Sequence, residues 1–371
     1  MCCDYEQGVH PFTADFAHWH YTTYYQSGNS TCRYLADKLF DARERAFQSY
    51  IERTLDMTQY SVIFCSTCYY FPLQTAYRLS QKYHIPFLVD LRDIAEQWGN
   101  IPYMTHRLLP SEKLNTLIHR FFVAHNIRQR NKVLAAANHV ITISPWHRDL
   151  LRKYNSSTHL IYNGFDEKEF YPKDVVSDKF IISYSGKIYN LRFRDPKLLF
   201  EALQQLLKND QIDRKDIEVR FHIDNSSINE LKNMVAGYDL TDICHISPYI
   251  PKDRLIPLLH LSSILLVLTC KSTPEGSHGI MGTKFFEALG VEKPVLCIRS
   301  DEECLSQVIE ETHAGLAGTD SKQVAEFILA KYHEWRQKGF TRQATKHREE
   351  FSRETQSRRM EELCEWTNNV L

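Results

Sequence analysis

A long uninterrupted apolar run is missing from this chain of 371 residues. The most apolar stretch, 255–270, is broken by His260, Ser262 and Ser263. A spanning helix needs about 20 such residues, so no crossing of a bilayer is expected. A secretory leader is not expected either: MCCDYEQGVH has no basic segment followed by an apolar one. Neither sign of charge dominates, since 45 Lys and Arg face 46 Asp and Glu for a net charge of -1. No global field drives the chain onto nucleic acid or an anionic membrane, and such binding needs a local patch. Nucleic acid is therefore not an expected partner. No sequence repeat is evident, and no G-x-G-x-x-G follows a first strand, which argues against a dehydrogenase. The 10 cysteines are scattered, several inside apolar strands such as Cys65 and Cys297. That pattern fits reduced, buried thiols in a cytoplasmic protein better than a disulfide framework.

What is present is an ordinary globular composition, 43% apolar and 25% charged. At about 150 residues per domain the length suggests two domains. Short apolar runs alternate with amphipathic helical segments. In the first half, strands are expected at 61–65, 86–91, 139–144 and 159–162. Helical patterns fall at 31–55, 73–83, 112–137 (one long helix or two) and 145–154. The polar stretch 166–179 reads as a linker. The alternation restarts with strands at 180–185, 217–223, 243–246, 264–269, 294–298 and 315–318, each separated by a helical segment. The tail, 341–370, reads as helical. The organisation expected is a domain over 1–165, a linker over 166–179, a second domain over 180–340 and C-terminal helices over 341–371 that pack back toward the first domain. The fold class is α/β: two Rossmann-like, doubly wound parallel sheets facing across a cleft. Ligands of such sheets sit at the carboxyl ends of the strands.

Two segments carry the chemistry. Residues 274–287, PEGSHGIMGTKFFE, leave a buried strand and open a helix. Gly276, Gly279 and Gly282 let the backbone approach a ligand, and a helix N-terminus suits phosphate. Lys284, in the first turn, opposes the helix dipole and makes better sense beside an anion. Glu287 can accept hydrogen bonds from vicinal hydroxyls of a sugar. An ordinary glycine-rich loop with a surface Lys and Glu is the plain alternative. Residues 185–197, SGKIYNLRFRDPK, also leave a strand and enter a helix. Lys187, Arg192, Arg194 and Lys197 suit a diphosphate leaving group, whose charge grows as its bond breaks. A solvated basic turn, with Asp195 as a helix cap, is the alternative.

The order GK…RDP, then HISPYIP, then EGSHGIMGTKFFEALGVEKPVL resembles the nucleotide-sugar half of a GT-B glycosyltransferase, most similarly the large retaining family four. IPFLVDLRDIAEQW, VITISPWHRDLL and LIYNGFDEKEF resemble that family's acceptor half. The resemblance implies that Gly279, Ile280, Met281, Gly282, Thr283 and Lys284 line the donor diphosphate and that Glu287 holds the ribose. A second family acid would fall at Gly279, and Glu275 is out of register. Lys187 with Arg194, or alternatively Arg192, takes the place of the family's diphosphate cations, and Tyr249 can stack on the base. At the acceptor side, Asp90, Arg92 and Asp93 close a strand, and Ser144 and His147 follow the next. Asp93 can orient the acceptor hydroxyl, and Arg92 can hold an acceptor phosphate or lock Asp93. Asn163 and Gly164 read as turn chemistry. The implied reaction moves a sugar from a nucleotide-sugar donor to a glycan or lipid-linked saccharide, with retention and without metal or other cofactor. The sequence has no Asp-x-Asp, the metal clamp of the other major glycosyltransferase fold. Alternatives are a non-catalytic nucleotide- or carbohydrate-binding protein and a sugar-nucleotide epimerase. The family's opening strand and glycine loop are not found in 1–30: either they are missing or 1–30 is a divergent replacement, and a shortened first sheet is expected.

Three further signals stand apart. Cys65-Ser-Thr-Cys68 has redox spacing, with two inert thiols as the alternative. His10, His18 and His20 can suggest a metal site, although aromatic neighbours favour a structural reading. Residues 103–132 hold six Lys or Arg against Glu112, interleaved with Leu and Phe. That segment can rest on an anionic membrane at the inner face, or pack on its own domain with a solvated basic side.

Overall fold

The computed structural model describes residues 2–4, 20–22, 30–98, 108–188, 191, 193–274 and 276–369. Two compact units emerge. The first takes the described residues up to Ile143, then His147–Leu160 and those from Met360 on, and the second takes Ser144–Trp146 and Ile161–Arg359. No helix among the described residues is long and apolar enough to cross a membrane.

The first unit holds a sheet of four parallel strands in sequence order: Ile63–Thr67, Phe87–Leu91, His139–Thr142 and Thr158–Leu160. Leu88, Val89 and Leu91 are fully buried because their strand is central and covered on both faces. The Leu73–Tyr83 helix buries Leu73, Ala76 and Leu79, the one apolar stripe its period allows. The 31–55 pattern resolves into two helices, Ser30–Phe40 and Ala42–Thr54, broken where Asp41 takes a φ of 52°. Residues Glu112–Ala136 form one continuous helix. At the start of the chain a strand does exist: Cys2–Asp4 pairs in parallel with His20–Thr22, in a sheet of its own.

The second unit holds six parallel strands. In spatial order they are Cys244–Pro248, Ile217–Ile223, Phe180–Ser185, Ile264–Leu268, Val295–Ile298 and Gly315–Ala317. The chain starts in the middle, builds outward to one side, then returns and builds to the other. Its order reverses between Phe180–Ser185 and Ile264–Leu268, which is where ligands bind doubly wound sheets. In Ile217–Ile223 the residues Ile217, Val219, Phe221 and Ile223 are buried and the intervening ones less so, while Ile264–Leu268 is buried throughout. The Lys197–Lys208 helix closes one face with Leu199, Phe200, Leu203 and Leu206.

Two expectations need adjusting. The stretch read as a linker is anchored: Phe170 is buried, the Ser177 amide donates to Gly339 O at 2.9 Å, and the Trp335 indole donates to Ser177 O at 3.0 Å. The tail is helical only over a short turn, Arg348–Phe351, and the helix Arg353–Asn369. Before that, the Gln343 and Lys346 amides donate to Glu292 O and Thr312 O instead of to a helical neighbour.

Candidate functional site

Adjacent parallel strands end on the same edge of a sheet. Phe180–Ser185 pairs with Ile264–Leu268, so the loops that follow them flank the point of reversal. These are the two segments singled out from sequence.

The first loop is pinned from below. The Gly186 amide donates to His222 O at 3.1 Å, and the Ile188 amide to Asp224 Oδ1 at 2.8 Å. Asp224 ends the neighbouring strand and also accepts from Ser226 Oγ at 2.5 Å and Ser227 Oγ at 2.8 Å. Burial opposes its ionised form, but donation by Ser226, Ile188 and Ser227 outweighs this and lowers the carboxyl to about 2. Asp224 is thus a fixed anion that holds the loop's backbone. Arg194 turns back over the same loop. Its guanidinium donates to Tyr184 Oη at 3.3 Å and to the Lys187 carbonyl, which also accepts from Tyr184 Oη at 3.0 Å. Lys187 is exposed, and Arg192 lies outside the described residues. Asp195 accepts from the Lys197 amide at 2.9 Å, but the N-cap position is Pro196, so Asp195 turns on its own backbone ahead of the helix and is not its cap.

Glu303, far away in sequence, organises the second loop. Its carboxylate accepts from Ser272 Oγ at 2.9 Å and the Gly279 amide at 2.9 Å, and meets His278 Nδ1 at 3.1 Å. The His278 ring stacks on Trp146, with centroids 5.1 Å apart and planes 10° apart. Gly279 has φ +62°, the left-handed region that favours glycine. The three glycines therefore differ. The Gly276 amide is spent on Thr273 O and that of Gly279 on Glu303, while a side chain at Gly282 would meet open space. Gly282 caps the helix Thr283–Gly290, and the amides of Thr283 and Lys284 precede the first intrahelical bond. Met281 is buried and Ile280 half-buried, so any contact with an anion there falls to backbone. Lys284 Nζ lies 3.0 Å from Glu287 Oε2. The cation and the acid assigned to different parts of a donor hold each other.

The loops also act on each other. Burial raises the Cys270 thiol, two residues past the Ile264–Leu268 strand, and the charge of Arg194 on the first loop pulls against it. On the far side, Tyr249 is exposed just past Cys244–Pro248. Ser247 Oγ is engaged by His222 Nδ1 at 2.7 Å.

The acceptor-side residues are arranged differently from expectation. Arg92 Nε donates to Asp90 Oδ2 at 2.8 Å, so it locks Asp90 and not Asp93. Ser66 Oγ shares that oxygen at 2.8 Å, and the other carboxylate oxygen of Asp90 is buried without a hydrogen-bond partner. Asp93 accepts from Gln97 at 2.8 Å, and burial raises its carboxyl against that bond. Ser144 and His147 are buried, and burial with the charge of Arg130 pushes the His147 ring down to about 3. Gly164 takes φ +66°, and a side chain there would strike Phe351 O at 2.8 Å. Cys65 and Cys68 are both free thiols, raised chiefly by burial, the reverse of what a redox nucleophile needs. His10 and His18, and the side chain of His20, lie outside the described residues. Among the described residues no group of three His, Cys, Asp or Glu is placed to hold a metal.

Asp224, Glu303, His278 and Tyr184 were not anticipated. The run Asp224-Asn-Ser-Ser, just past a strand, carried a signal: short polar side chains there turn on their own backbone. Glu303 carried none, because its partners lie more than 20 positions away.

No family model matches the sequence, and neither does any curated protein. Solved structures do. Sucrose-phosphate synthase from Thermosynechococcus elongatus is 18% identical with a TM-score of 0.57, over 91% of this chain and 80% of that one. The apo lipopolysaccharide outer core galactosyltransferase WaaB is 12% identical with a TM-score of 0.55, over 94% and 84%. A point mutant of TarM from S. aureus, solved with fondaparinux, α-GlcNAc-glycerol and UDP, is 14% identical with a TM-score of 0.51, over 85% and 57%. These likenesses establish a GT-B-type fold: two α/β units, each built on a parallel sheet.

Proposed function

We propose that the chain is a glycosyltransferase that moves a sugar from a nucleotide-sugar donor to a glycan or lipid-linked saccharide, in the cytoplasm, with retention and without metal. The observation that carries this reading is the convergence of two loops at the reversal point of the second sheet. One bears Lys187 and Arg194, the other opens the helix Thr283–Gly290, and they leave paired parallel strands. A diphosphate placed there meets cations from one side and helix amides from the other. Its arrival gives Lys284 a stronger anionic partner than Glu287, which leaves Glu287 to accept from the ribose hydroxyls. As the sugar C1–O bond to the diphosphate breaks, Arg194 and Lys187 stabilise the growing charge. The leaving phosphate takes the proton of the acceptor hydroxyl on the same face, and the new C1–O bond forms there. Tyr249 can swing over the base; the acceptor role of Asp93 rests on the family resemblance. A lipid-linked acceptor brings this reaction to the inner face of a membrane.

The purified protein is expected to hydrolyse or transfer from one nucleotide sugar, identified by the largest rise in melting temperature across a donor series. Arg194→Ala and Glu287→Ala abolish that activity. A chain that binds no nucleotide sugar, or variants as active as the wild type, would sink the proposal. A second reading, a nucleotide- or carbohydrate-binding protein without transfer, is favoured by the burial of Ser144 and the Arg92–Asp90 pair. Binding of a donor without turnover selects it.

A further inference from the structure

We propose that the exposed face of the Glu112–Ala136 helix docks the protein on an anionic lipid bilayer, with Leu114, Leu117 and Phe121 entering the headgroup layer and Lys113, Arg120 and Arg128 meeting lipid phosphates. This deepens the membrane contact in the reading above and stands without glycosyl transfer. Leu114, Leu117 and Phe121 are 51%, 65% and 67% exposed. Spacings of three and four residues put them on one stripe of the helix. The opposite side is committed to the interior: Asn115, His119, Phe122, Val133 and Leu134 are buried, and Phe122 packs edge-on against Tyr34. The stripe is therefore left over after the helix has contributed to its own core.

Charge identifies the occupant. Lys113, Arg120, Arg128 and Lys132 are exposed on this helix, and none forms an ion pair with a described residue. Seven residues separate Lys113 from Arg120, so both border one edge of the stripe, while Arg128, seven residues on from Phe121, falls on the line of the stripe itself. The helix carries one acid, Glu112. It lies nine residues from Phe121 and so about 180° around the helix. A protein-binding patch is depleted of charge at its centre. An apolar stripe bordered by unpaired cations is instead what an anionic interface accepts, with side chains entering about 5–10 Å and each cation adding electrostatic attraction. The stripe is also held in register at its start. Asn115 Oδ1 accepts from the Leu108 and Leu109 amides at 2.9 Å each, and Ser111 caps the Leu114 amide at 3.5 Å.

Flotation of the 371-residue chain through a density gradient tests this. Vesicles of phosphatidylcholine with about a third phosphatidylglycerol should carry the protein upward at low salt, vesicles of phosphatidylcholine alone should not, and added salt should release it. L114S/L117S/F121S should lower the bound fraction by about tenfold. K113E/R120E should do the same and weaken the dependence on salt. Both variants should keep the wild-type melting curve, because the altered side chains are exposed. Three results overturn the proposal: no flotation of the wild type at low salt, variants that float as it does, or a wild-type dimer in sedimentation that the triple variant dissolves. None of these touches donor hydrolysis, and loss of hydrolysis in Arg194→Ala leaves flotation unchanged, so the two readings fail separately.

Discussion

Replacing Asp224 by Asn removes one charge from beneath the loop that carries Lys187 and Arg194 and changes little else. The carboxylate accepts from the Ile188 amide and from two serine hydroxyls, and these lower it from 3.8 to about 2. At about 1.4 kcal/mol for each tenfold change in proton affinity, the ionised form contributes about 2 kcal/mol to folding. The folded value lies below the unfolded one. The contribution is therefore complete above 3.8 and is lost as the pH falls through about 2. Asn keeps the shape and one acceptor oxygen but resembles the protonated acid. Urea unfolding of both proteins, followed by circular dichroism, should show the variant about 2 kcal/mol less stable at pH 7 and at pH 5, and about half that at pH 3. A gap that stays constant to pH 3 would mean that packing, not charge, holds the loop. No gap at pH 7 would refute the assignment of Asp224 as its anchor. The same variant should bind the donor more weakly, because the Lys187 backbone that seats Arg194 loses its support.

Glu44 shows the opposite sign. It is buried, and burial against the donation from Thr75 raises its carboxyl to about 7. The cost of ionising it is absent below 4.5, grows as the pH rises from 4.5 to about 7 and is complete above that, so Glu44→Gln should be about 3 kcal/mol more stable than the wild type at pH 8 and equal to it near pH 4, read from unfolding curves across that range. Glu96→Ala strands the fully buried guanidinium of Arg130, which makes two bonds to Glu96 at 2.7 and 2.6 Å, and should cost about 3–5 kcal/mol in urea unfolding. A loss under 1 kcal/mol would show that Asn131 alone satisfies Arg130. Glu303→Ala releases Ser272, His278 and Gly279 together, and should weaken donor binding by about tenfold in titration calorimetry while moving the melting temperature little.

The fold was legible because its signals are local. Ile264–Leu268 reads as a buried strand from five consecutive apolar residues, and Lys197–Lys208 as a helix from the spacing of Leu199, Leu203 and Leu206. The positions of the two phosphate-type loops were legible for the same reason, since each is a glycine-bearing run between a strand and a helix. What those loops do with their polar groups was not legible. Gly279 looks like a free amide in sequence, yet Glu303 takes that amide from 24 residues away. Arg92 sits beside Asp93 along the chain, yet a strand residue and its second neighbour point to the same side, so Arg92 meets Asp90. Lys284 and Glu287 were given to phosphate and ribose, but three residues along a helix makes them neighbours, and without a ligand they neutralise each other. These three cases share one cause. Sequence pattern fixes where a backbone turns, while the partner of a charged group is fixed by whatever else arrives at the same point in space. The cation and acid of the candidate site are paired and its loops are pinned by Asp224 and Glu303, so on the proposed reading a donor exchanges with Glu287 for Lys284. That exchange sets an order of events. If the proposed donor site is right, diphosphate engagement precedes ribose engagement: a nucleoside without phosphates should bind far more weakly than its diphosphate, and Lys284→Met should narrow the difference between them.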